Sequence, residues 1–430
     1  MNTEKFQEKE VFPVSKMAGT LQGSEIIKLA AEIQEKIQKG QSIYNFTIGD
    51  YDPAIFPIPE ALQRGIVKAY QEHHTNYPAA NGIAALRESV SQYIARFQGL
   101  DYKASDFLIA GGARPLIYAA YQTLVDPGEK VVFPVPSWNN NHYTHLSHAE
   151  QVFVETRPEN NFMPTAAELA PHLSSASLLA LCSPLNPTGT GFSKKDLLEI
   201  CQLVLEENKR RGQGEKPLYL LYDQIYWTLT FGQTKHEDPV SLVPEIRPYT
   251  VFIDGISKSL AATGVRIGWA FGPGLVIERM KSILGHVGAW APKAEQVATA
   301  EYMRSADEAN RFIDGLKERV HKRLTSLYEG LSTLQKEGLP VRAIAPQAAI
   351  YLTVSFDLIG YSLPNGERIS QTEQISRFLL EDAGLAIVPF YAFGASRNST
   401  WFRISVGTCQ TEQIPLVIEA LRKSLNKLQK

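Results

Sequence analysis

The sequence predicts an α/β protein: a mostly parallel sheet sandwiched by helices, joined to a smaller α+β domain. Three observations carry this. Between residues 107 and 253, short apolar runs alternate with amphipathic stretches, the pattern of strands covered on both faces by crossover helices. Beyond residue 348 the runs form a second, separate group. The chain has 430 residues, enough for more than one sizeable core.

The elements follow in order. Residues 24–39 predict a helix, with Ile26, Ile27, Leu29, Ala30, Ile33 and Ile37 on a helical repeat and Gly40 as its stop. Residues 43–48 predict a strand leading into Gly49, and 83–97 a helix. Residues 107–110 predict a strand, Gly111-Gly112 a turn, and 115–124 a helix. Strands follow at 130–134, 151–155, 178–182, 218–222 and 250–253, with a helix at 196–208. Pro184, Pro187 and Gly189 make 183–189 a rigid turn. Residues 293–336 read as one long helical stretch. Strands at 349–356, 385–388 and 403–406, with helices at 372–383 and 413–427, complete the second group. The expected organisation is residues 1–48 packing with the small domain, 49–300 as the large domain and 301–430 as the small one.

Composition narrows the function. The chain is 44% hydrophobic and 20% charged, with formal charge −2. That leaves no basic footprint for a nucleic acid. Cys182, Cys201 and Cys409 have neither disulfide nor zinc spacing, so no metal is expected and a reducing cytoplasm is. Residues 1–10 are polar, unlike a signal peptide, and no apolar run reaches the length of a membrane span.

Open α/β sheets bind ligands at the C-terminal ends of their strands. Gly111-Gly112-Ala113-Arg114, Asn186, Asp223 and Lys258 each follow a strand. Each alone has an ordinary reading, as tight packing, turn residue or surface charge. Four at successive ends suggest one site. A lysine desolvated there loses its proton readily and becomes a nucleophile for carbonyl groups. Asp223, directly after an apolar run, should not be buried unpaired. The Gly111-Gly112-Ala113 amides at a helix start favour an anion, to which Ser257 and Arg266 would add a hydroxyl and a planar fork.

These motifs together resemble a known family. Ser183-Pro184-Leu185-Asn186-Pro187-Thr188-Gly189, Tyr222-Asp223-Gln224-Ile225-Tyr226, Ser257-Lys258, Gly264-Val265-Arg266-Ile267-Gly268 and Arg403 are similar, in this order, to motifs of the fold-type I pyridoxal-phosphate enzymes. They look most like the class I/II aminotransferases of the aspartate aminotransferase superfamily. The resemblance implies pyridoxal 5'-phosphate as cofactor, held on Lys258 as a Schiff base, with Lys258 as proton shuttle. Asp223 would pair with the ring nitrogen. Tyr226 and Asn186 would face the 3′ oxygen, and Trp138 the ring. Ser257, Arg266 and the amides of Gly112 and Ala113 would hold the phosphate. Arg403 and Gly49 would bind the substrate α-carboxylate. Tyr77 would reach the phosphate of a neighbouring subunit, making a homodimer with shared sites.

The reaction implied is transfer of an amino group from an L-amino acid to a 2-oxo acid, with a modest preference for aspartate or glutamate. Trp138, Arg114 or a partner loop near 290–293 are the candidates for the distal carboxylate. A carbon–sulfur β-lyase, a decarboxylase and an aromatic or kynurenine-type aminotransferase share the motifs and stay open. The chain departs from the common pattern at Gln224, expected to point away from the cofactor, and at Ala113, where relatives often carry a hydroxyl. It also lacks a common glycine in 346–351. Arg114 is expected in a solvent-exposed salt bridge.

Overall fold

A computed structural model describes residues 14–21, 23 and 25–430. The polar residues 1–10 and the expected helix start at Ser24 lie outside them. Among the described residues, thirteen strands form three sheets. In chain order they are β1 (Tyr44–Asn45), β2 (Phe107–Ala110), β3 (Lys130–Val135), β4 (Glu150–Glu155), β5 (Ala176–Cys182), β6 (Tyr219–Asp223), β7 (Thr250–Gly255), β8 (Gly268–Phe271), β9 (Val341–Ala343), β10 (Tyr351–Phe356), β11 (Leu385–Ala386), β12 (Val388–Pro389) and β13 (Trp401–Ser405).

The large sheet has the order β2-β8-β7-β6-β5-β3-β4. Its neighbours are parallel except for β8, which runs against both β2 and β7. Both faces are covered. One core includes Val132, Leu179, Leu181, Leu220, Tyr222, Phe252 and Trp269. The other includes Val131, Phe133, Leu178, Leu221, Val251 and Ile253. Alternate residues of one strand thus feed opposite cores, which is why these strands read as unbroken apolar runs. The smaller domain is built on an antiparallel sheet, β12-β13-β10-β9, under the helices Ala306–Lys336 and Gln413–Leu425.

Four placements differ from expectation. The strand expected at 385–388 is two, β11 and β12, which lie in different sheets. The strand 268–271 was not foreseen. It is four residues long and bounded by glycines, and Gly268 leaves no room for a side chain: a Cβ would lie 2.5 Å from the carbonyl carbon of Gly112. The stretch 293–336 is two helices, Lys293–Arg304 and Ala306–Lys336, parted at Ser305. The first packs Ala298, Ala300 and Met303 into the large-domain core; the second adds Ala309 and Ile313 to that core and then carries Leu316 to Leu334 into the core of the small one. The strand at 43–48 shrinks to β1, which pairs in parallel with β11. The preceding helix, Glu25–Gln38, packs Ile33 against Leu380 and Ala386.

Candidate active site

The C-terminal ends of β5, β6 and β7 open on one cavity of about 570 Å³. Gly49, Ala113, Trp138, Asn186, Asp223, Tyr226, Ser257, Lys258, Arg266 and Arg403 all line it. The structure therefore brings together every expected residue except Gly112 and Tyr77.

Lys258 lies on the single helical turn Ile256–Ser259 that follows β7. Its Nζ donates to the carbonyl of Gly49 at 2.7 Å. Burial pushes its pKa down to about 8, opposed by Asp50 and helped by Arg403, Arg114 and Arg266. An ammonium with this environment gives up its proton near neutrality. Asp223 ends β6 and accepts only the backbone N–H of Ile225, at 3.1 Å. Burial pushes its pKa up to about 6, with no cation to oppose the shift. A carboxylate placed this way calls for a positive partner from outside the chain.

Arg403 is only 2% exposed, yet among the described residues no carboxylate meets it. Its Nη1 donates to Asn186 Oδ1 at 3.0 Å and its Nη2 to the carbonyl of Thr47 at 2.6 Å. Its Nε has no partner. The guanidinium rests over the rings of Tyr351 and Phe393. Gly49 closes this corner: a Cβ there would meet the Tyr351 hydroxyl at 2.9 Å. Tyr226 and Tyr351 join hydroxyl to hydroxyl at 2.6 Å.

At the other end, the helix Ala113–Leu124 begins. Gly112 has φ +94°, and a Cβ would collide with the Arg266 guanidinium. Its amide, expected to hold an anion, instead donates to the carbonyl of Ala110 at 2.7 Å. Gly112 thus contributes a missing side chain, and the open amides begin with Ala113, at the first helical position. Arg266 donates to the carbonyls of Thr263 and Gly111. Ser257 is buried beside it in the lining.

Other placements correct, match or extend the sequence reading. Arg114 forms no salt bridge among the described residues; its guanidinium sits 5.3 Å over the Trp138 ring. The helix start holds it beside the cavity, out of reach of surface acids. Gln224 turns away, bonding Gln98 and His236. Tyr77 is 81% exposed and packs edge-on against Trp290, 5.1 Å between centroids. Tyr351, Asp50 and Cys182 line the cavity and were not foreseen as site residues. Nothing in the local sequence marks Tyr351; only the pairing of β10 with β13 brings it beside Arg403.

The donor set suits one kind of guest. It offers a buried carboxylate without a cation, Asp223, a helix start with an arginine for an anion, a lysine with a lowered pKa, and a second buried arginine lacking an acid among the described residues. Residues 41–421 match the family model of aminotransferase class I and II.

The chain belongs to that family.

Members of this family use pyridoxal phosphate, and their substrates are amino and oxo acids. Among relatives, an aspartate aminotransferase of Geobacillus stearothermophilus is 28% identical over 393 residues, covering 90% of this chain and 93% of that protein. The crystal structure of an aspartate aminotransferase from Rhizobium meliloti superposes with a TM-score of 0.89 at 25% identity, covering 97% of this chain and all of that one. An aspartate aminotransferase from Thermus thermophilus, solved with maleate, gives 0.85 at 25% identity, over 96% of this chain and all of that one. The fold is that of the aspartate aminotransferases. No described helix is long and apolar enough to cross a membrane.

Proposed function

We propose that this aminotransferase moves the amino group of an L-amino acid to a 2-oxo acid, holding pyridoxal phosphate on Lys258, and that it prefers aspartate or glutamate as donor. The observation that carries the reading is the set of unpaired charges facing one cavity: Lys258, Asp223 and Arg403. The relatives named as aspartate aminotransferases support the donor class.

Bound pyridoxal phosphate supplies an electron sink for the electron pair released at the substrate Cα. The chain's own residues do the rest. Asp223 would face the ring nitrogen and keep it protonated. Ser257, Arg266 and the Ala113 amide would hold the phosphate, and Trp138 would cover the ring. Asn186 and Tyr226 would face the 3′ oxygen, with Tyr351 fixing the Tyr226 hydroxyl. Arg403, held by Asn186 and Thr47, would grip the α-carboxylate with two parallel hydrogen bonds. Lys258 would carry the proton between the substrate Cα and the cofactor C4′.

Protein supplied with cofactor, aspartate and 2-oxoglutarate is expected to form oxaloacetate and glutamate in equal amounts. Lys258→Ala should keep the cofactor and lose turnover. Ammonia or carbon dioxide as the stoichiometric product would replace transamination with lyase or decarboxylase chemistry. Exposed Tyr77, packed edge-on against half-buried Trp290, supports a homodimer in which Tyr77 reaches the partner's phosphate. Light scattering should give twice the 47.8 kDa chain mass; a monomer that turns over fully would end that reading.

A further inference from the structure

Asp254 is a carboxyl group that the reaction site does not use. It is the last residue but one of β7 and only 1% exposed, and no cation meets it among the described residues. Burying a carboxyl away from any cation is costly, and it persists where donors meet its oxygens.

The two oxygens of Asp254 meet two different turns. Oδ1 accepts the N–H of Gly255 at 2.7 Å. That peptide leads into the helical turn Ile256–Ser259, which carries Ser257 and Lys258. Oδ2 accepts the indole N–H of Trp227 at 2.8 Å. Trp227 belongs to the turn 225–228 that follows β6. From this corner Asp223, Ile225 and Tyr226 face the cavity. Gln224 and Trp227 leave the other way, Gln224 toward Gln98 and His236 and Trp227 toward Asp254. Backbone already ties the start of the corner to β7, where the N–H of Gln224 donates to the Ile253 carbonyl at 2.9 Å. Asp254 ties down its far end.

The surroundings specify a carboxyl and not an amide. Thr228 Oγ1 and Trp269 Nε1 are buried without partners and line the same small cavity as Asp254. The Gly255 amide and the two indole N–H groups can only donate. An asparagine would turn its own N–H groups against one of them.

We propose that Asp254 is a positioning residue: through Trp227 it holds the turn that aims Asp223 and Tyr226 in register with the turn that aims Lys258. This rests on the transaminase reading above. In the cofactor-loaded protein, visible absorbance titrates with the proton shared between Lys258 and the 3′ oxygen. A hydrogen bond from Tyr226 to that oxygen would favour its anion and keep the midpoint low. A slackened turn should raise it.

The test compares wild type with Asp254→Asn, Trp227→Phe and the double variant. Each single variant should raise the absorbance midpoint by about half a unit or more. The double variant should go no further than the larger single one, as for two members of one contact. With aspartate and 2-oxoglutarate, kcat should fall at least about fivefold while KM for aspartate stays within about twofold, because Arg403 is held from the other sheet. A lowered urea midpoint with absorbance midpoint and kcat unmoved would make the contact merely structural and overturn the inference. Shifts that add in the double variant would overturn it too. Should Asp254→Asn fail to fold, the absorbance midpoint of Trp227→Phe decides alone. A wild type that transfers no nitrogen, yet whose absorbance midpoint rises in both variants, would sink the transaminase reading and leave the positioning role standing.

Discussion

The two sheets supply the cavity in different ways. The large sheet contributes where strands stop: Asn186 follows β5, Asp223 ends β6 and Lys258 follows β7. There the chain is released from the ladder and is free to aim side chains and amides into one crevice. The small sheet contributes from within its strands. Tyr351 opens β10, and Arg403 sits mid-strand on β13, paired across to Thr353 and Val388. Its direction is set by the pleat and by its neighbours. Among the described residues, the large sheet offers two charges without an ion-pair partner, Lys258 and Asp223, and the small sheet offers one, the guanidinium of Arg403. The comparison teaches a division of labour. On the proposed function, strand ends would carry the cofactor groups, and a strand interior from a second sheet would carry the substrate clamp.

The largest expected effect breaks the first half of that division. Asp223→Ala should slow single-turnover proton transfer on the order of 10³-fold, because losing one member of a buried charge pair costs about 3–5 kcal/mol. A loss under about tenfold, roughly 1.4 kcal/mol, would mean that the carboxylate at the end of β6 does not serve the ring nitrogen.

Arg403→Lys probes the second half. It keeps the charge and loses the fork that spans Asn186 and Thr47. KM for every amino-acid donor should rise roughly 10- to 100-fold, matching about 1.5–3 kcal/mol for a charged hydrogen bond. Steady-state kinetics decide it, since weaker cofactor binding with donor KM unmoved would place Arg403 on the wrong side of the division.

The smallest effect concerns the apoprotein's stability. Asp223 has its pKa raised from 3.8 to about 6, so between those values the folded chain holds a proton that the unfolded chain has released. Stability therefore falls as pH rises through that window. Lys258 is lowered from 10.5 to about 8, so between about 8 and 10.5 the unfolded chain binds the extra proton and stability rises with pH. Both side chains reach the cavity, so each contribution is discounted to about 1 kcal/mol. Urea midpoints should show the fall between pH 4 and 6 in wild type and its absence in Asp223→Asn. The same slope in both proteins would show that Asp223 carries no such strain.

What the sequence made legible follows the same line. The strand-end residues announced themselves, because a polar residue after an apolar run is a local signal. Lys258, Asp223 and Asn186 were all found that way, and the structure brings them together with Arg403. Ranges for β2 and most of the parallel strands were close to those observed. The misses share a cause. Gly268–Phe271 is strand because two flanking strands hold it, and the helix after Ser305 runs from the core of one domain into that of the other.

By itself, then, the sequence determined the layered α/β plan and the identity of the charged groups, since burial pattern and strand endings are written in neighbouring residues. Only the tertiary structure decided which of those charges stay unpaired. Tyr351 reaches Tyr226 across 125 positions and Arg403 reaches Asn186 across 217. It put Arg114 over Trp138 instead of in a surface ion pair. Such contacts depend on how one sheet is seated against another, and no local stretch of sequence encodes that distance.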